Sequence, residues 1–456
     1  MKPTSLKLLL NGITGEPEKD LLIESIVTDS RLVTKNSLFI AIRGENHNGH
    51  EFIEDAFKRG AVAAVVESKK NDNSGVQFKV KDTKDTYILI AKNYKEQFDP
   101  VSIGITGSVG KTTTKEMTAS ILEQAGSTVK NEGNLNNEIG LPQTMLRVND
   151  ETQYAVFEMG MNRPGDIRKL TNAVRPAAAI ITGIGIAHIE FLKTKENILK
   201  AKLEIIEGMT QNGILVINGD DSLLMNARES LHVNTVSFGI ENRDSDVMAS
   251  NIFVRSNRCE FTIEDREYGN IEVMLPAIGN HYIMDALSAY SLTTRIGVCP
   301  VSAAKALAGY LPTGMRQKFI NFEGITVIED CYNANPDSMK AALHTLSVLP
   351  VNGLRIAVLG DMLELGKHTE QEHKNLGLYV AQSGIDVLLC YGEHIKETVK
   401  AAKALKVTSV EWFSDKCSLV EYLIATASEG DAVIFKASRG MKFEEIIQEF
   451  YEKRKF

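Results

Sequence analysis

The sequence predicts an α/β protein of three domains: a small N-terminal α/β domain, a central P-loop domain on a mainly parallel sheet, and a C-terminal Rossmann-like domain. Three observations carry this. The 456 residues suit about three domains at roughly 100–200 residues each. Continuous apolar runs alternate with helical stretches in two separate parts of the chain, as strands of a sheet covered on both faces do. One run leads straight into a glycine-rich loop and then a helix. Breaks at Asp99-Pro100 and Leu311-Pro312-Thr313-Gly314 set the expected domains at 1–98, 99–311 and 312–456.

In the first segment, Leu38–Ile42 and Ala61–Glu67 read as apolar strands. Glu51–Gly60 between them reads as an amphipathic helix, with Phe52, Ile53, Ala56 and Phe57 on one face and Gly60 as the stop. In the second, strands are expected at Val101–Thr106, Tyr154–Met159, Ala177–Gly185 and Gly213–Asn218. A helix is expected from Lys111 to about Ala125, with Met117, Ile121 and Leu122 on one side. Residues 246–275 alternate like strands, and Asn280–Ile296 returns to helix. In the third, strands recur at Ile325–Glu329, Leu354–Leu359, Val387–Cys390, Val410–Phe413 and Ala432–Phe435.

Composition narrows the function. Lys and Arg number 51 and Asp and Glu 59, for a formal charge of −8. That balance argues against a nucleic-acid partner and against docking on anionic membranes. The five cysteines are scattered without a C-x-x-C pair, which excludes a disulfide scaffold and fits a reduced compartment. No stretch reaches ~18 apolar residues without charge, so a cytoplasmic protein with no membrane span is expected.

The strongest motif is Gly104-Ile-Thr-Gly-Ser-Val-Gly-Lys-Thr-Thr-Thr114. Gly107, Ser108, Val109 and Gly110 can turn backbone N–H groups around phosphate oxygens, and the helix N-terminus adds its dipole. Lys111 is placed to reach the β- and γ-phosphates and the Thr112 hydroxyl to bind Mg²⁺, with Thr113 beside them. The glycines are spaced G-x-x-G-x-x-G, which does not fit a dinucleotide fingerprint. Glu158, ending an apolar strand, is a candidate Mg²⁺ ligand. His188 follows another strand, and a lone histidine is more often structural than a ligand. Lys202 lies in a helical stretch, where a lysine ordinarily sits on a solvated face. Four asparagines in Asn131–Pro142 suit a polar substrate or a turn-rich connector.

Taken together, these motifs resemble the Mur ligase family, over nearly the whole chain. The likeness is carried by Thr28-Asp-Ser-Arg31, Arg43-Gly44, the Gly104–Met117 stretch, Gly133–Gly140, Phe157–Met161, Gly183–Glu190, Ala201-Lys202, Gly279-Asn-His281 and Gly314-Met-Arg316. Asp330–Pro336 with Ser338, Gly360–Gly366 and Lys436–Arg439 complete it. Tyr-Asn-Ala-Asn-Pro and Gly-Asp-Met-Leu-Glu-Leu-Gly point to the member that adds D-alanyl-D-alanine. The resemblance implies an ATP-dependent peptide-bond ligase of cell-wall synthesis that joins this dipeptide to a UDP-N-acetylmuramoyl-tripeptide through an acyl phosphate.

It also implies roles. Ser30, Arg31 and Arg43 would lie near the UDP group. Lys111 and Thr112 would handle phosphates and Mg²⁺ with Glu158, and His188 and Lys202 would serve a second metal, the lysine being carbamylated. Asn136 and Asn137 would line the substrate channel. Asn280 and His281 would approach adenine, Arg316 the phosphates, and Asp330, Tyr332 and Asn335 the nucleotide. Lys436 and Arg439 would help hold the dipeptide. A monomer is expected, with Gly314 as a candidate hinge. The usual Gly-x-His-Asn-x-x-Asn here reads Gly279-Asn-His-Tyr-Ile-Met-Asp285, so Tyr282 and Asp285 replace two amides. Alternatives are a relative with another amine acceptor, or a nucleotide-switched binding protein without ligase chemistry.

Overall fold

The computed structural model describes residues 1–456 except 16, 45–46, 70–74, 188, 256–257, 313 and 455–456. It forms two compact units. One holds residues 1–106, 122–180 and 201–215; the other holds 107–121, 181–200 and 216–456.

After a short antiparallel pair, Thr4–Ser5 with Leu22–Ile23, the first unit forms a parallel sheet in chain order: β1 (Ser25–Val27), β2 (Ser37–Ile40), β3 (Ala61–Val66) and β4 (Val76–Lys79). Helix α1 (Ile53–Arg59) covers it, burying Ile53 and Ala56 against Phe39, Ala41 and Ala64. The expected helix at Glu51–Gly60 is entered through a 3₁₀ turn at Gly49–Phe52, and it stops where Gly60 takes φ +116°. The unit also holds β5 (Val101–Thr106), β6 (Thr128–Lys130), β7 (Tyr154–Glu158) and β8 (Ala178–Ile181), in the order β8-β5-β7-β6. β5 and β6 both pair parallel with β7. The central residues of β7 and all of β8 are buried, as parallel strands covered on both faces must be. Strand β9 (Ile214–Asn218) begins in this unit and ends in the other.

The second unit starts at the glycine loop and helix α2 (Lys111–Glu123), whose last residues pass to the first unit. Strand β10 (Asn234–Gly239) pairs parallel with β11 (Val247–Val254). The antiparallel pairs β11 with β12 (Cys259–Asp265) and β12 with β13 (Gly269–Leu275) follow, as alternation in 246–275 implies. Helix α3 (Asn280–Arg295) comes next. A six-stranded sheet then runs β14-β15-β19-β16-β17-β18: Lys318–Phe322, Ile325–Glu329, Ala432–Lys436, Arg355–Gly360, Val387–Tyr391 and Ser409–Phe413. Only edge strand β14 is antiparallel.

Alternation sorts this sheet's side chains onto two faces. Ile328, Ala357, Leu359, Leu388 and Ile434 pack with Met339 and Leu343 of α4 (Pro336–Val348). Val327, Ile356, Val358, Leu389 and Val433 pack with Leu419, Phe443 and Phe450 on the opposite side. The C-terminal strand ends are therefore free to carry loops, and the crevice outside them is where such sheets bind ligands. Among the described residues, no helix is long and apolar enough to cross a membrane.

Candidate functional site

The glycine loop requires glycine for steric reasons. At Gly107 (φ +152°) a Cβ would meet Thr182 Oγ1 at 1.8 Å, and at Gly110 (φ +81°) it would meet Asp285 Oδ1 at 2.3 Å. Gly183 and Thr182 fix the loop from outside. Ser108 N–H donates to the Gly183 carbonyl at 3.0 Å, and the Thr182 hydroxyl donates to the Val109 carbonyl. The expected strand at Ala177–Gly185 is therefore shorter than its apolar run, because it leaves the ladder after Ile181 to make these contacts. Lys111 Nζ donates to the Gly107 carbonyl at 2.8 Å, which curls it over the loop. Thr112 and Thr113 are buried in the first turn of α2. Ser108 Oγ is buried with no hydrogen-bond partner among the described residues. Buried hydroxyls are ordinarily paired, so a ligand oxygen fits there.

Asp285 lies behind the loop. It accepts a hydrogen bond from Thr114 Oγ1 at 3.1 Å, and burial pushes its carboxyl well above the ordinary range against the pull of Thr114 and Arg316. Three residues earlier, the buried Tyr282 hydroxyl donates to the Arg316 carbonyl at 2.8 Å. The Arg316 guanidinium lies 3.9 Å from the centre of the Tyr332 ring. Asn280 is exposed at the start of α3. The His281 ring stands 4.5 Å from that of Tyr282, and desolvation followed by the nearby Lys436 lowers its pKa to about 3.

The carboxyl ends of β15, β16 and β19 meet here. Lys436 Nζ is buried and bonds Asp330 Oδ2 at 2.8 Å and the Asn333 carbonyl at 3.2 Å. Desolvation raises the Asp330 carboxyl, against the pull of Lys436. Asn335 caps α4: its side chain accepts from Ser338 N–H at 2.9 Å, and Ser338 Oγ accepts from Asn335 N–H at 3.0 Å. Arg439 pairs with Glu444 at 3.2 Å. A cleft of about 190 Å³ is lined by Ser108, Lys111 and Ala187 together with residues 333–335, 363–365 and 438–440. It brings together Ser108, Lys111, Asn335 and Arg439 from the sequence-derived set. Its wall is fixed by His373, which sequence reasoning did not single out, and by Ser438 of the Lys436–Arg439 motif. His373 Nε2 accepts from Met362 N–H at 3.1 Å, and Ser438 Oγ accepts from Leu363 N–H at 2.9 Å. The Gly360–Gly366 motif was the available signal for this wall.

In the first unit, Glu158 is 1% exposed. Its Oε1 accepts from Asn136 Nδ2 at 2.7 Å, and its N–H donates to Asn131 Oδ1 at 2.6 Å. Asn137 Oδ1 instead accepts from Ile139 and Gly140 N–H at 3.1 and 2.9 Å, in the turn that leads into the helix Gly140–Met145. Lys202 is 2% exposed, so its helix turns that side chain inward, where sequence alone suggests a solvated face. Ser30 is buried, Arg31 bonds Asp29 at 2.6 Å, and Arg43 is exposed. His188 lies outside the described residues.

Three family models match in sequence: Mur ligase family, catalytic domain, at residues 22–98; Mur ligase middle domain at 105–293; and Mur ligase, glutamate ligase domain, at 315–439. A UDP-N-acetylmuramoyl-tripeptide–D-alanyl-D-alanine ligase of Bacillus subtilis is 37% identical over 450 residues, covering 97% of each chain. The chain belongs to the Mur ligase family. The fold agrees: MurF from Acinetobacter baumannii superposes with a TM-score of 0.91 at 29% identity, covering 99% of each chain. MurF from Thermotoga maritima in complex with ADP superposes with a TM-score of 0.85 at 28% identity, covering 94% of this chain and 97% of that one. The glycine loop of this Mur ligase lies in the middle-domain match, and the Asp330–Lys436 pair in the glutamate-ligase match.

Proposed function

We infer that the chain uses ATP to join D-alanyl-D-alanine to UDP-N-acetylmuramoyl-tripeptide, yielding the pentapeptide precursor of peptidoglycan with ADP and phosphate. The observation that carries this is the 37% identity to a ligase of that name across 97% of both chains. Segments 1–98, 99–311 and 312–456 would bind the UDP group, the ATP and the dipeptide, respectively. A cytoplasmic monomer is the proposed setting.

A carboxylate resists nucleophilic attack because its charge repels the nucleophile. The tripeptide carboxylate oxygen first attacks the ATP γ-phosphorus, and ADP leaves. The neutral dipeptide amine then attacks the acyl phosphate carbon; the C–O bond to phosphate breaks, phosphate leaves, and the proton lost from nitrogen passes to solvent. Lys111 and the loop N–H groups hold the phosphate charge, and Arg316 adds a cation from the third segment. Arg31 and Arg43 are the proposed UDP contacts. By the family resemblance, Glu158 and Thr112 are each proposed as a hard oxygen donor for Mg²⁺, and Asn136 orients the Glu158 carboxylate. Bound Mg²⁺ supplies charge neutralisation at the transferring phosphoryl group. His188 and Lys202 are the proposed second set. The family resemblance carries the proposal that CO₂ adds to the Lys202 amine, which would make it an anionic oxygen ligand. An intact-mass spectrum showing bare Lys202 in active protein would overturn that assignment.

The central test mixes the protein with ATP, the UDP-linked tripeptide and D-alanyl-D-alanine. Phosphate release that depends on all three is expected, and release indifferent to the dipeptide would sink the assignment. A panel of other amines should give far slower turnover.

A further inference from the structure

Tyr282 and Arg316 are 34 residues apart, yet the tyrosine hydroxyl donates to the arginine's main-chain carbonyl at 2.8 Å. The neighbours of Arg316 are fixed as well. Tyr332 N–H donates to the Met315 carbonyl at 3.2 Å. Gln317 is buried in a left-handed conformation at φ +49°, and its side-chain oxygen accepts from Thr345 Oγ1 at 3.2 Å. The guanidinium itself lies over the Tyr332 ring. The buried Tyr282 ring lies beside that of Tyr310, centroids 6.4 Å apart, and beside that of His281 at 4.5 Å. Three residues along the same helix, Asp285 bonds Thr114 and fills the space beside Gly110. Residues three apart share a helix face. One turn of α3 therefore holds both the phosphate loop and the linker that carries the arginine.

We propose that Tyr282 is a positioning residue for Arg316: its hydroxyl fixes the main chain from which the guanidinium reaches the nucleotide phosphates. This rests on the ligase reading above. The tyrosine touches no reacting atom. It removes freedom from the arginine before the nucleotide binds, so less is lost when the phosphates are engaged. Burial raises the phenol pKa and keeps it a donor at any working pH.

The test is a double-mutant cycle in the full-length chain, with Tyr282→Phe, Arg316→Ala and the pair, read as kcat and KM for ATP. Tyr282→Phe keeps the ring and deletes only the hydrogen bond. It should lower kcat/KM about three- to tenfold; the unpaired Arg316 carbonyl also lowers the melting midpoint, so rates are compared well below the midpoint of each variant. In the Arg316→Ala background the same change should have almost no effect, because the group it positions is gone. Multiplying effects, or a Tyr282→Phe enzyme equal to the unaltered one, would overturn the inference. A chain without dipeptide-dependent turnover refutes the ligase reading instead. The cycle is then read on ATP affinity by calorimetry, where independent effects overturn the inference in the same way.

Discussion

The glycine loop and the rim of the C-terminal sheet build their parts of the cleft in opposite ways. The loop is made of backbone. Its glycines sit where any Cβ would collide, Lys111 crosses it, and Ser108 Oγ is left without a protein partner among the described residues. The rim is made of side chains, and most of these are already engaged. Lys436 is held by Asp330 and a carbonyl, Asn335 caps a helix, and His373 and Ser438 hold the N–H groups of Met362 and Leu363. A backbone cradle waits for its ligand, whereas a side-chain rim must first be satisfied by the protein, since buried polar groups are costly unpaired. A motif residue in the rim can therefore matter for the frame as much as for the ligand.

The largest effect should separate these two designs. Lys436→Met leaves the Asp330 carboxyl buried without its cation, and losing one partner of a buried pair costs about 3–5 kcal/mol. Chemical denaturation should show that loss. Combining it with Asp330→Asn should recover part of it, since no buried charge then remains; full additivity would mean that the pair is not coupled. Lys111→Met should behave in the opposite manner. Turnover should fall about 10²–10³-fold, as when one donor to a developing charge is removed. The denaturation midpoint should stay close to that of the unaltered protein. A large stability loss here would erase the distinction between cradle and rim.

This contrast also explains what could be read from the chain. Val101–Thr106 and Ile325–Glu329 match their expected bounds because buried parallel strands are unbroken apolar runs. The glycine loop was legible because its constraint is local. The pairing of Lys436 with Asp330 was not, since 106 residues separate partners that meet only through the order of strands β15 and β19. Lys202 misled for a related reason: helical periodicity around it is weak, and tertiary packing alone decides that it is buried. Tyr282 and Asp285 were visible as departures from the family pattern, but their roles depended on what α3 packs against.

A smaller effect concerns His373. Its ring is buried, with Nε2 accepting from Met362 N–H and Nδ1 facing the Thr369 carbonyl. Burial lowers its pKa. The unfolded chain then binds a proton that the folded one resists, so this contribution to stability is complete above about pH 6.5 and shrinks as pH falls below it. The slope contributed by one such group is at most about 1.4 kcal/mol per pH unit. His373→Gln should flatten the acid limb of a stability–pH curve below pH 6.5 and leave the neutral region's slope alone. An unchanged acid limb would show that the rim wall does not depend on a neutral imidazole.

The smallest effect probes the border between frame and ligand contact. Asn335 lines the cleft and also caps α4 through a reciprocal pair with Ser338. Asn335→Ala removes the cap and should cost about 1 kcal/mol of stability. Asn335→Asp keeps a capping oxygen and adds a negative charge at a helix N-terminus, which the dipole tolerates. Its stability should therefore stay near that of the unaltered chain. The same charge in a cleft shared with Lys111 and Ser108 should repel phosphate, so its KM for ATP should rise severalfold. If the alanine variant loses stability while the aspartate variant binds ATP normally, Asn335 belongs to the frame alone. If KM rises in the aspartate variant at constant stability, the rim is frame and contact at once, and the contrast with the loop is one of degree.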